Sequence, residues 1–366
     1  MLWTTFFLLV VLYNIFVNSF IIYSVSLQTR YTSSNTGSFA KSGFYILNLR
    51  DLYLNLLTPT IILILLNIVW SSPIITSWFG HLVFTSFCHK FSLIITLNFI
   101  AVFYILISSS YFTSQDFMDY LTVIYNFYVW LIVLYFANSI YTLIFVVELL
   151  STLIFLLITT SSYSSNYFYN NLDISLFNYK TYSLPFSFLQ SILFFFWISL
   201  IASLSLFFFL LFFYIKLLTF DWFLVEYIFM YFVQTKSIFE VYSLGVVFFI
   251  FLFCIFLKCG LAPLFIWKPT FFKGLSVSLL FFYVCLYYLF LFLLLVNVLL
   301  HYLHELFYYF VFVQTLLLSI GLFFLVFILC ETFYLKSFLA ISSILNSLIV
   351  FLALNNTTYV DFFLFI

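Results

Sequence analysis

Long apolar runs, separated by shorter polar stretches, set the pattern of this chain. A bilayer is spanned by about twenty apolar residues in a helix. About ten such runs can be marked, at 3–25, 53–72, 91–110, 119–137, 139–160, 187–214, 241–266, 277–299, 306–329 and 338–355. Lipid offers the backbone no hydrogen-bond partner, so a spanning segment must be a helix or part of a closed barrel. A barrel needs alternating strands with a polar lumen, and runs such as "SLFFFLLFFYI" do not alternate. The pattern predicts an all-α, polytopic transmembrane helix bundle, read as a single transmembrane domain over residues 1–366. No tandem repeat is visible.

Polar stretches punctuate the bundle. Residues 28–51 and 161–185 carry Ser, Asn and Thr and read as loops. Residues 217–237, with Asp221, Glu226 and Lys236, read as an amphipathic interfacial helix. Connections after odd-numbered spans hold Arg30, Lys41, Arg50, Lys180, Lys268, Lys273 and Lys336. Those after even-numbered spans hold Lys90, Lys216 and Lys236. By the positive-inside rule the odd connections face the side of synthesis, which puts the amino terminus across the membrane.

Composition strengthens the membrane reading. The chain is 67% hydrophobic and 6% charged, against roughly 25% charged residues in a soluble domain. Its net charge of zero gives no reason to expect a nucleic-acid partner. Cys88, Cys254, Cys259, Cys285 and Cys330 form no CxxC pair, so neither a disulfide framework nor a zinc site is indicated. Phe (59) and Tyr (29) are abundant while Gly (7) is scarce, although membrane helices usually use small residues to pack closely. Phe, Leu, Ile, Tyr and Asn share A/T-rich codons, which suggests an organellar genome. No Arg-rich presequence precedes the first span. Together these point to synthesis inside a mitochondrion.

Two ionisable residues fall within spans: Glu148, near the middle of 139–160, and Lys258, well inside 241–266. A charge at the bilayer centre costs about 2.5–3.5 kcal/mol on insertion scales, so it normally faces protein, water or a partner and marks an ion or proton pathway. The plainer reading is a buried ion pair serving packing alone. Pro263 follows Lys258 closely, and Pro269 adds a second expected break. Broken helices are tolerated where they line a buried or wet cavity, so carbonyls freed near Lys258 could hold water. The plainer reading here is an ordinary span end, since Trp267 and Lys268 are interfacial residue types. His81, His89, His301 and His304 all lie in connections or at span ends, which leaves no intramembrane axial ligands for haem. "HYLHEL" has a spacing that could hold a metal, but reads better as a solvated helix entry. No Gly-rich phosphate loop or nucleophile motif is present.

With these residues in view, "KCGLAPLFIWKPTFFKG" resembles the broken-helix signature of chain 2 of NADH:ubiquinone oxidoreductase, respiratory complex I. Lys258, Pro263, Trp267, Pro269 and Gly274 keep the family spacing without a gap. "VVELLS" is similar to the family's fifth-helix glutamate motif, with Glu148 as the glutamate, and "SFLAISSILNS" is similar to its tenth-helix Ser-Ser segment. The resemblance covers most of the chain. It implies an antiporter-like bundle of inverted repeats in which Glu148 and Lys258 carry or gate protons. It also implies no cofactor on this chain. NADH, FMN, iron–sulfur clusters and ubiquinone would belong to other subunits of the complex.

The departures from the family bear on function. The family's second lysine falls at Tyr288 and its helix-6 lysine near Gln190, leaving only neutral relays at both places. The acidic residue usual after the second proline is Thr270. The family's usual form continues for several more spans, so a separately encoded C-terminal fragment is expected among the partners, beside other membrane-arm subunits and lipid. The expectation is a non-redox, proton-translocating subunit in the mitochondrial inner membrane. The rivals are a scaffold of the same complex that has lost conduction and a free-standing ion transporter.

Overall fold

The structure is a computed structural model that describes residues 75–109, 114–172 and 186–222, parts of 224–231, 238–301, a few of 303–310, 311–330, 332 and 334–356. The expected spans 3–25 and 53–72, and the loop at 28–51, lie outside the described residues. The described chain is mostly helical. It opens with a hairpin, β1 (Ile75–Ser77) and β2 (Leu82–Phe84), followed by α1 (Ser86–Ser109), α2 (Ser114–Phe136), α3 (Ile140–Leu172), α4 (Phe186–Leu217), α5 (Ile238–Cys259) and the short α6 (Trp267–Gly274). Next comes a helical run of α7 (Val277–Phe282), a π-helical segment (Tyr283–Tyr288) and α8 (Leu289–His301). The described chain ends with α9 (Val311–Cys330) and α10 (Leu335–Asn356).

Among the described residues, six helical stretches are long and apolar enough to cross a membrane: Ile140–Thr159, Phe188–Leu217, Tyr242–Cys259, Leu279–Leu299, Val311–Cys330 and Leu335–Ala353. Lys90–Val102 and Asn126–Phe136 are shorter apolar helical stretches. α4 and α9 leave large apolar side chains exposed along most of their length, among them Phe194, Trp197, Phe208, Phe323 and Phe327. In water such a surface would aggregate; a bilayer covers it. The chain is a helical membrane bundle.

Local chemistry explains several helix ends. At the start of α3, Thr142 N donates to Ser139 Oγ at 3.3 Å and Ser139 N donates to Thr142 Oγ1 at 3.4 Å. This reciprocal pair satisfies two amides that a helix start leaves open. α3 then runs to Leu172, past its expected end at 160. Residues 160–172 are polar but contain neither Gly nor Pro, so composition suggested a loop where no breaker stops the helix. The remaining part of that expected loop, 173–185, lies outside the described residues. After α4, Leu218 adopts φ 58° and Asp221 pairs with Ser139 in an isolated bridge. Trp222, Leu224, Val225, Tyr227, Ile228 and Tyr231 are helical, with Trp222 and Val225 buried and Tyr227 and Tyr231 exposed. The interfacial helix expected at 217–237 is described only in these parts: Glu226 and Lys236 lie outside the described residues, and the exposed side chains Leu224, Tyr227 and Tyr231 form no charged face.

The chain forms two compact units. The first takes the described residues of 1–138, 145–182 and 277–286. In it Phe99 stacks on Tyr128 at 4.3 Å and Phe91 on Tyr135 at 5.0 Å, joining α1 to α2. The hairpin, which the apolar pattern did not predict, pairs Ile75 with Phe84 and Ser77 with Leu82. Its turn places Trp78, Phe79 and Gly80 at positive φ. Asn138, just past α2, holds it by donating from N to His81 O at 2.8 Å and from Nδ2 to Gly80 O at 3.0 Å. Asn98 Nδ2 donates to Cys285 O at 3.0 Å, supplying a partner to a carbonyl of the π segment.

The second unit takes the described residues of 139–144, 183–276 and 287–366. Here α4 lies against α5 and α6, and α10 against α6 and α9. Phe195 of α4 stacks on Phe271 of α6 at 5.2 Å, and Phe209 meets Phe251 of α5 at 4.8 Å. Gly321 of α9 sits where a Cβ would lie 2.5 Å from Ala262 Cβ, so only glycine lets α9 approach the α5–α6 connection this closely.

Candidate functional site

α5 ends at Cys259, with Lys258 in its last turn. The terminator is Gly260, at φ 61°. Its amide donates to Leu257 O at 3.3 Å, and Leu261 N donates to Phe256 O at 2.8 Å. These two bonds form the Schellman closure that glycine favours, because the left-handed conformation crowds any side chain. The expectation that Pro263 breaks the helix, and that the span reaches 266, is therefore corrected. Pro263 lies exposed in a connection that begins after the helix has already closed. Pro269 is not a second break either. It sits in the first turn of α6, where a missing N–H leaves no bond unmade.

The freed carbonyls expected near Lys258 are partly taken. Leu257 O accepts a second bond, from Trp267 Nε1 at 3.2 Å. The indole thereby bridges the break from α6 back to α5. Trp267→Phe keeps the ring but removes this buried donor. It should lower stability by about 1 kcal/mol, seen as a lower unfolding midpoint in detergent; an unchanged midpoint would show that the bridge is idle.

Lys268 is the larger departure from the sequence reading. As an interfacial type it was expected at a membrane surface, and it counted toward orientation. It is 0% exposed, and Trp267 is 5% exposed. The cause is tertiary packing: α4 and α10 both cover α6. Gly260 makes room as well, since a Cβ there would lie 3.1 Å from Lys268 Cδ and 3.2 Å from Trp267 Cζ2. The Lys268 ammonium sits 3.3 Å from the centre of the Tyr288 ring and 5.9 Å from that of Phe272. Lys268 Nζ has no hydrogen-bond partner among the described residues. Lys268 falls outside the six spans, and burial holds its amine well below the ordinary lysine range, with the nearby Cys259 acting in the opposite sense.

Lys258 is 5% exposed, at a helix carboxyl end whose dipole favours a cation. Cys259 lies within electrostatic reach of both Lys258 and Lys268. Tyr288 closes the π segment and donates to Ser343 O of α10 at 3.3 Å. Ser343 belongs to the Ser-Ser segment singled out from the sequence. Lys258, Trp267, Lys268, Tyr288 and Ser343 thus gather in one unit, joined by packing and hydrogen bonds. Two further lysines tie α6 to the start of α10: Lys336 Nζ donates to Leu275 O at 2.6 Å, and Lys273 Nζ sits 4.7 Å from the Tyr334 ring centre.

Glu148 belongs to the other unit. It is half-buried on α3, and Ser151 Oγ donates to its backbone carbonyl at 2.7 Å and to Oε2 at 3.4 Å. Gln190 is half-buried in the first turns of α4 and is not among the described partners of Lys268 or Tyr288. No group of three His, Cys, Asp or Glu side chains able to hold a metal occurs among the described residues; His304 and Glu305 lie outside them. The sequence reading missed Lys268 as a site residue. Its signal was present in "FIWKPTFF", a cation flanked on both sides by aromatic residues. No protein-family model matches the chain, and no curated protein does.

Proposed function

We propose that this chain is a membrane-arm subunit of a proton-pumping NADH:ubiquinone oxidoreductase, resembling chain 2, in the mitochondrial inner membrane. It carries no redox centre, and it works beside other membrane-arm subunits. Glu148 and Lys258, the two charges within apolar spans, take part in proton transfer. Within the second unit, Lys268 and Tyr288 extend a buried polar path from Lys258 toward α10. The observation that carries this reading is the pair of buried lysines at a closed helix break among largely apolar side chains. A chain keeps such groups in oil at a cost, and an intramembrane ionisable residue marks a transport path by default.

Two measurements test it. On a native gel the chain should migrate with a large assembly that oxidises NADH; a free-standing transporter would migrate alone. In the assembled complex, Lys258→Ala and Glu148→Gln should each lower the number of protons moved per NADH. Unchanged pumping with full assembly would remove both residues from the path.

The scaffold reading has an observation of its own. Tyr288 stacks on Phe292 at 6.4 Å, and Phe351 meets both Phe292 at 5.6 Å and Phe256 at 5.4 Å. One aromatic ring stacks on Tyr288 and further rings continue from it, which suits packing better than a water chain. On this reading the same variants leave pumping intact and lower only assembly.

A further inference from the structure

We propose that the cavity beside the break of α5 binds the acyl chain of a membrane phospholipid, with Gln314 donating a hydrogen bond to the ester carbonyl. The cavity has a volume of about 290 Å³ and lies within the second unit. Its walls are Phe249, Leu252 and Phe256 of α5, Pro263 of the connection, Leu318 of α9 and Phe351 of α10. Every wall residue but one is apolar. The exception is Gln314, which is 6% exposed and whose Nε2 is buried without a hydrogen-bond partner among the described residues.

These two facts define the ligand. A buried amide donor almost always has a partner, and leaving it without one costs about 1–3 kcal/mol. Water needs two or more polar partners to occupy such a space, and the lining offers one polar side chain. A polar or charged ligand would find nothing else to bind. An apolar chain bearing a single acceptor satisfies both the walls and the amide.

Access and depth select a lipid. Phe253 and Leu317, also on the lining, are 44% and 38% exposed on helices that cross the membrane, so the cavity opens toward hydrocarbon. Gln314 is the fourth residue of the Val311–Cys330 span. At 1.5 Å per residue it lies about 5 Å inside that span's end, close to where a phospholipid carries its ester groups. The aliphatic tail would then run along α5 toward Pro263. This inference stands apart from the proposed proton path.

The test uses the complete chain, purified in its native assembly and placed in nanodiscs containing a phosphatidylcholine with a diazirine on one acyl chain. Photolysis should label peptides holding Phe249–Leu264 and Gln314–Leu318. The diester probe should label them about three- to tenfold more than the diether analogue, which lacks the carbonyl, as one hydrogen bond requires. Gln314→Leu should erase that preference while keeping labelling, and Leu318→Trp should fill the cavity and abolish labelling there. Equal labelling by diester and diether probes in the unaltered protein overturns the hydrogen bond. Absence of label from these peptides, whether a protein segment or nothing fills the cavity, overturns the lipid. Because the unaltered protein decides both points, a variant that misfolds leaves the test intact.

Discussion

Lys268→Met is expected to keep the bundle folded, raise its unfolding midpoint and, on the proposed function, stop proton translocation. The argument sets two energies against each other. The ammonium over Tyr288 gains about 0.5–2 kcal/mol from the ring. Enclosing a polar group without a hydrogen bond costs about 1–3 kcal/mol by mutational measures, and more when it is charged. Met has similar length, adapts to irregular space and keeps contact with aromatic rings, so the enclosed volume stays filled. A net gain of about 1 kcal/mol follows. Lys268→Arg should act in the opposite sense, because a guanidinium is larger and does not give up its proton. Two readouts are required: thermal unfolding of the purified complex, and protons moved per NADH in vesicles. A more stable variant that pumps at the native rate would take Lys268 out of the path and favour the scaffold reading. A less stable one would mean that the amine holds a partner worth more than its desolvation.

Gly260→Val should be the most damaging single change at the break. Two penalties add at that position. A β-branched residue at φ 61° is strained, by about 1–3 kcal/mol. Its Cβ would also press on Lys268 Cδ and Cβ and on Trp267 Cζ2, at 3.1–3.2 Å, and overpacking a filled site costs about 1–3 kcal/mol. The expected loss is about 2–6 kcal/mol, enough to deplete the assembled protein. Pro263→Ala should by contrast be mild, because Pro263 neither ends the helix nor is buried. If Gly260→Val and Pro263→Ala prove equally harmful, proline and not glycine terminates α5.

Much of the architecture could be read from hydrophobicity. The six expected spans from 139–160 onward overlap described helices long and apolar enough to cross a membrane, because an apolar run of that length has few other ways to meet its backbone hydrogen bonds, whereas 91–110 and 119–137 fall on helices whose apolar stretches are shorter. The errors have local causes. α5 stops at Cys259 because a glycine placed at a helix end closes it, whatever proline follows. α3 continues to Leu172 because polar residues do not themselves break a helix. The hairpin escaped notice because strands of three residues leave almost no periodic signal, and its turn is marked only by Gly80.

The site was half legible. Lys258 stood out as a charge in apolar surroundings, while Tyr288, the segment holding Ser343 and the spacing of Trp267 were marked only by the family resemblance. Lys268 was not found, since one position in a linear string does not reveal that two other helices cover it. Glu148 was found by the same rule as Lys258, and α3 carries it as a half-buried carboxylate in a span.

The π-helical segment sets a limit on how this region can change over time. It holds Tyr288 in a wider turn than the α-helices on either side, and such segments are rare and cluster at working sites. Each residue in an α-helix advances the direction of the next by about 100°. Removing one residue between Tyr283 and Tyr288 would return the stretch to ordinary helix and swing the phenol off the amine it faces. Side chains along this stretch can drift in identity, but the number of residues in it is fixed.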